Sequence, residues 1–178
     1  MKLKSAGIIT AAGLMLMGAS AHANPLFDIY AGATAGFGGY TLFADDDHLS
    51  DSAQSYGAIV GVDIPVFRFE LEYDYLHYSD AKAHIGMINA YAKMPLPVVK
   101  PYLGAGIGTV FDGDADGIEF DTGMAYQGML GLTLDLPVLP FKVDVEGRVL
   151  YAPDVFKVSD IEPDILHYDG RIKLRYVF

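Results

Sequence analysis

Between residues 67 and 75 apolar and charged side chains alternate without a break. Phe67, Phe69, Leu71, Tyr73 and Tyr75 take the odd positions; Arg68, Glu70, Glu72 and Asp74 take the even ones. Successive side chains of an extended chain point to opposite faces, so this segment is predicted to be a strand with one apolar and one ionic face. The pattern returns at 141–149, where Lys142, Asp144, Glu146 and Arg148 hold the ionic face, and at 170–178, where Arg171, Lys173 and Arg175 do. Five further segments, 27–40, 55–64, 83–94, 99–110 and 123–135, are rich in Gly, Ala, Ile, Leu, Val and Tyr and bring the predicted strand count to eight. Each is long enough for the roughly 9 to 11 residues that a tilted strand needs to cross a bilayer.

Alternation by itself does not say which face is inside. A soluble sandwich buries the apolar face, whereas a membrane barrel turns it to lipid and encloses the charges. The mean hydropathy of +0.26 is high for a chain with 20% charged residues. No run of about 18 apolar residues follows residue 23, so helical membrane spans are not expected. A chain that is hydrophobic on average but has no hydrophobic block spreads its apolar residues by alternation, as lipid-facing strands do. The connections agree, because Pro65-Val66, 95–98 and 136–140 are tight and marked by proline. By contrast, 41–54, 111–122 and 152–166 are long and polar, and 79–82 is short. The expected fold is all-β, an eight-stranded antiparallel up-and-down transmembrane β-barrel with tight turns on the periplasmic side and long loops outside.

Composition adds the route to such a membrane. Lys2 and Lys4 precede an apolar run from Ala6 to Met17 and then Ala21-His22-Ala23, the layout of a secretory signal peptide. Residues 1–23 are therefore read as the signal peptide and 24–178 as the barrel domain. With no cysteine the chain has neither disulfides nor a lipoprotein anchor. Its net charge of −11 argues against nucleic acid as a partner. More than half of the 23 acidic residues fall in the three long loops, where Lys157 is the single base. Such loops attract divalent cations, which would bridge them to one another or to lipopolysaccharide phosphates.

The ionic face predicts a lumen network of Arg68, Glu70, Glu72, Asp74, Lys142, Asp144, Glu146, Arg148, Arg171, Lys173 and Arg175, with Asp28 and Asp169 beside it. Buried charges have to be paired and hydrogen-bonded, and an eight-stranded barrel is only wide enough for side chains to fill. A salt-bridged plug is the expected interior, with a proton or ion path along it as the alternative. Glycines at 104–108 and 36–39 fit close backbone approach in a narrow barrel; no helix-like segment follows them to suggest a dinucleotide site.

Asp112, Asp114 and Asp116 alternate, with Gly117 after them, like the first half of a calcium loop. The position expected to hold a bidentate Glu is Gly123, with Glu119 and Asp121 as substitutes. The segment reads first as a solvated acidic tip, with Ca²⁺ or Mg²⁺ binding as the alternative. Asp45, Asp46 and Asp47 read as solvated surface, and His48, His84 and His167 lack metal-ligand spacing. No cofactor is required by any of these readings.

With signal peptide, alternating segments and a last strand ending in Phe178, the chain resembles the small outer-membrane barrels that include the OmpA membrane domain and OmpX. The resemblance implies that Tyr176 and Phe178 belong to the signal read by the barrel assembly machinery. No peptidoglycan-binding domain is expected after Phe178. His77-Tyr78-Ser79 resembles the His-x-Ser stretch of outer-membrane lipid A deacylases, in which a lipid-facing His activates a Ser. In that family a glutamate twelve residues after the serine orients the histidine; here Tyr91 stands there. The expected role is a non-enzymatic, monomeric outer-membrane protein with a plugged lumen and acidic outer loops, acting in envelope structure or surface interaction. Its expected partners are outer-membrane lipids, lipopolysaccharide and an extracellular ligand that the sequence does not name. A narrow porin or lateral transport channel is the alternative, and a deacylase-like hydrolase built on His77 and Ser79 the remote one.

Overall fold

A computed structural model describes residues 27–44, 47–78, 81–115, 118–119, 123–136, 139–153 and 164–178. Eight strands form the wall: β1 Asp28–Ala44, β2 Asp47–Asp63, β3 Phe67–Tyr78, β4 Ala81–Lys93, β5 Val99–Ala115, β6 Gly123–Asp135, β7 Phe141–Ala152 and β8 Asp164–Val177. Each pairs antiparallel with its neighbours in sequence, and β8 closes on β1 from Tyr30↔Val177 to Phe43↔Asp164. The wall is a closed up-and-down barrel with no free edge. Ile118–Glu119 folds back on the end of β5 as a two-residue extension of the ladder.

At one end the connections are short and hydrogen-bonded through their own backbone. Ile64 N donates to Phe67 O at 2.9 Å, and Leu139 N donates to Leu136 O at 2.9 Å. The chain end joins the same rim, where Phe178 N donates to Ile29 O at 2.9 Å and carries the β8–β1 ladder past Val177. Pro65, Pro95, Pro97 and Pro140 lie at these turns, outside the strands, where no ladder donor is needed.

The other end departs from the loops that polarity suggests. Residues 47–54, read as loop, are the first half of β2, paired with β1 out to Ala44↔Asp47. Likewise, β5 continues to Ala115, β7 to Ala152, and β8 begins at Asp164 rather than near 170. Apolar alternation records lipid on one side of the wall. Beyond the bilayer no lipid sorts the two faces, so the alternation fades while the backbone ladder goes on.

Side chains sort by parity, as expected. The outer wall exposes Phe69, Leu71, Leu103, Leu130, Val145 and Ile172, with Leu130 at 67%. The interior is filled through a division of labour among strands. β3, β7 and β8 send long charged side chains inward, while β1, β2 and β5 face them with glycines. A Cβ built on Gly57 would lie 2.1 Å from Asp74 Oδ1, and one on Gly104 would lie 2.3 Å from the Tyr91 ring. Gly57→Ala is expected to cost about 1–3 kcal/mol by overpacking. Equilibrium urea unfolding in micelles measures this, and a neutral result would mean that the lumen is looser than its geometry.

Candidate functional site: the lumen and the outer wall

The lumen's chemistry begins with cross-strand complementarity. Where β7 and β8 pair, Asp144 stands opposite Lys173, Glu146 opposite Arg171 and Arg148 opposite Asp169, all on the inner face. β3 lies across the barrel and supplies the second partner for most of these groups, so the ion pairs bridge the lumen from wall to wall.

At the turn end the mouth is ringed by Asp28, Asp63, Lys93, Lys100, Asp135 and Lys142. Lys142 Nζ is 2.9 Å from Asp28, 3.6 Å from Asp63 and 3.5 Å from Asp135, Lys100 Nζ is 2.5 Å from Asp135, and Lys93 pairs with Asp63. Above this ring, Arg175 grips Asp144 with two parallel bonds of 2.8 Å, the fork geometry that suits a guanidinium to a carboxylate. Arg68 Nη1 donates to the same carboxylate at 2.9 Å. Its Nε and Nη2 find no hydrogen-bond partner; the guanidinium instead lies 3.8 Å from the Tyr91 ring centroid and 4.6 Å from that of Tyr102. Two aromatic faces thus take the place of hydrogen bonds. Glu70 accepts from Tyr30 at 2.7 Å, Tyr91 at 2.9 Å and Lys173 at 2.9 Å.

At the centre Arg171 donates to Glu146 at 2.6 Å, to Asp74 at 3.2 Å and to Glu72 through both terminal nitrogens. Asn89 donates to Glu72 at 2.5 Å, and Gln127 donates to Asn89 at 2.7 Å. Arg148 holds Asp169 through Nε at 2.9 Å and Nη2 at 2.7 Å and also donates to Asp74. Ser55 donates to Asp169 at 2.7 Å. The side chains of Arg148, Arg171, Glu72, Asp74 and Asp169 are inaccessible to water.

All eleven charged residues assigned to the network from sequence lie on the inner face and are buried. Sequence reasoning missed Asp63, Lys93, Lys100 and Asp135, which end or begin their strands and stand outside any alternating run. It also missed the neutral partners Tyr30, Tyr91, Tyr102, Asn89 and Gln127. For Tyr30 and Tyr102, parity with the inward glycines of β1 and β5 was a usable signal.

The interior is also not polar throughout. Toward the loop end, past His167, whose Nε2 lies 3.3 Å from Asp169 Oδ2, the lumen is apolar. Leu76, Ile85, Met87, Val110, Leu150 and four alanines form one buried cluster there. A uniformly polar lumen therefore has to be corrected: the inward positions change from charged to apolar within single strands, from Asp74 to Leu76 and from Arg148 to Leu150.

On the outer wall, His77 is exposed and stacks on Tyr75 with ring centroids 6.2 Å apart. Ser79 lies outside the described residues. Tyr91, at the position where the deacylase pattern needs its acid, points the opposite way into the lumen and bonds Glu70. His84 is on the outer face, with Nδ1 2.6 Å from Tyr73 Oη. The backbones of Asp112 and Asp114 lie in β5, paired with His84 and Lys82 just past a register shift between His84 and Ile85, rather than in a turning loop; Asp116 is outside the described residues. Tyr176 packs edge-on against Phe141 and Phe178, each at 5.2 Å.

A closed barrel with an apolar outer wall, tyrosines toward its loop end and a charged interior is a transmembrane β-barrel. Residues 9–156 match the family model described as outer membrane protein beta-barrel domain, and the chain belongs to that family and to the outer membrane. A search of curated proteins finds no match. Among solved structures the chain is similar to Neisserial surface protein A, with TM-score 0.64, 20% identity, and 84% of this chain and 97% of that one covered. It is also similar to the outer-membrane enzyme PagL, with TM-score 0.56, 11% identity, and coverage of 79% and 97%. The N-terminal barrel domain of Pseudomonas aeruginosa OprF aligns with TM-score 0.49, 11% identity, and coverage of 80% and 97%. For the first two the likeness, at these identities, is one of fold.

Proposed function

We propose that the protein is a non-enzymatic outer-membrane protein with a sealed lumen, acting in envelope structure or surface interaction through its outer face and loops. The observation that supports this reading is the central network, in which Arg148 and Arg171 join carboxylates of β3, β7 and β8 across the lumen with no accessible side-chain surface. An ion entering there has to displace several charge-assisted hydrogen bonds at once. Assembly through the terminal Tyr176 and Phe178 belongs to the same reading. Planar-bilayer recordings of the reconstituted chain are expected to show no stable conductance steps, and reproducible steps of uniform size would overturn the sealed lumen. A second reading, transport of small apolar molecules, draws on the apolar cluster in the outer part of the lumen. Loading of reconstituted vesicles with such a molecule at a rate above protein-free vesicles would favour it.

A further inference from the structure

Among the described residues every lysine and arginine except Lys82 takes part in the ion pairs of the lumen. Lys82 is exposed on the outer face of β4, just inside the short β3–β4 connection. The strand register puts it opposite His77, and His77 opposite Gln54, so Gln54, His77 and Lys82 form one outward row across β2, β3 and β4. At a strand spacing of roughly 4.8 Å that row is about 10 Å wide. Directly below it lies the row Tyr56, Tyr75 and His84. Aromatic girdles mark the lipid–water boundary of such barrels. The upper row, two residues further toward the loop end, therefore stands at the level of the outer-leaflet headgroups. In the strand register the row reaches residue 114 of β5 beyond Lys82. Gln54 Oε1 accepts from Tyr56 Oη at 3.0 Å, which leaves its amide NH₂ as a donor.

From Gln54 and Tyr56 a groove descends the outer wall over β1, β8 and β7, with Phe37, Val145 and Ile172 as its apolar sides and Ala35 and Gly170 on its floor. Gly170 pairs with Gly147. The inward glycines have no room for a side chain, but a Cβ on Gly170 would meet nothing within 4 Å. Glycine inside a strand weakens it by roughly 0.5–1 kcal/mol relative to Ala and is expected where another body approaches the backbone. Nothing in the barrel itself requires glycine there.

We propose that this face binds a phosphorylated, multiply acylated glycolipid of the outer leaflet, lipid A in chemical class. One phosphate lies on Lys82, His77 and the Gln54 amide, and one acyl chain lies in the groove over Gly170. The polar row and the groove meet at Gln54 and Tyr56, so one amphipathic molecule fits both. The inference rests on the membrane placement of the barrel and not on whether its lumen conducts; a channel recording and the binding test below can fail independently.

The test is native mass spectrometry of the delipidated full chain in micelles, offered diphosphoryl lipid A, dephosphorylated lipid A or phosphatidylglycerol. The wild-type chain is expected to retain one diphosphoryl lipid A in preference to the other two. A His77→Gln, Lys82→Glu double variant is expected to retain about fivefold less diphosphoryl lipid A, bringing it to the level of the dephosphorylated form. Gly170→Leu, which fills the groove floor, is expected to lower retention of both lipid A forms. Equal retention of phosphatidylglycerol and lipid A by the wild-type chain would overturn the proposal without recourse to any variant. So would wild-type retention by both variants.

Discussion

Replacing Arg171 with alanine is expected to destabilise the barrel by about 3–5 kcal/mol, the cost of removing one member of a buried charge network. The guanidinium donates to Glu146, Asp74 and Glu72 and is fully enclosed. Without it Glu146 keeps Lys173 at 3.3 Å and Glu72 keeps Arg148 at 3.6 Å, but three carboxylates must then share cations that already serve others. Arg171→Lys is expected to recover only part of the loss, because an ammonium cannot present a planar fork to Glu72 and Glu146 together. Equilibrium urea unfolding from lipid vesicles measures both variants. A loss below about 1 kcal/mol for Arg171→Ala would place the network in contact with water, where ion pairs contribute little, and would argue against a sealed lumen.

Leu130→Arg is expected to cost about 2–4 kcal/mol when folding is measured into bilayers. Leu130 lies midway along β6 on the outer face, opposite Leu103 on β5 and Gly147 on β7. An arginine there meets hydrocarbon. Tyr126→Arg, four residues toward the loop end and level with Tyr151, is expected to cost about 0–1 kcal/mol, because charge is tolerated at the interface. The contrast in depth is what separates a lipid-facing wall from a water-facing one. Equal costs at the two positions would mean that the wall does not lie in the bilayer as its apolar surface indicates, since exposed surface substitutions in water usually stay within about 0.5 kcal/mol.

Much of the barrel was legible in β3, β7 and β8 alone. Their unbroken alternation split each strand into two faces, hydropathy and connection lengths turned the charged face inward, and the order of charges along β7 and β8 already implied antiparallel complementarity. Strand ends were not legible. The segments from 47 to 54 and from 164 to 169 carry no unbroken alternation of apolar and charged residues, although the ladder continues through them. The acidic run at Asp112 and Asp114 looked like a turning loop because its residue types recur in cation sites, but its backbone is strand.

Periodicity and composition by themselves determined the class of protein, because a period of two with one apolar and one charged face admits few stable arrangements. They also determined which charges point inward. Which charge meets which was decided by the tertiary structure. Arg68 reaches Asp144 across 76 residues, and Arg171 reaches Glu72 across 99, contacts set by barrel closure and strand stagger. Tertiary structure likewise decided that the outer part of the lumen is apolar, since Leu76, Ile85, Val110, Ala125 and Leu150 come from five strands and become one layer only when the sheet closes.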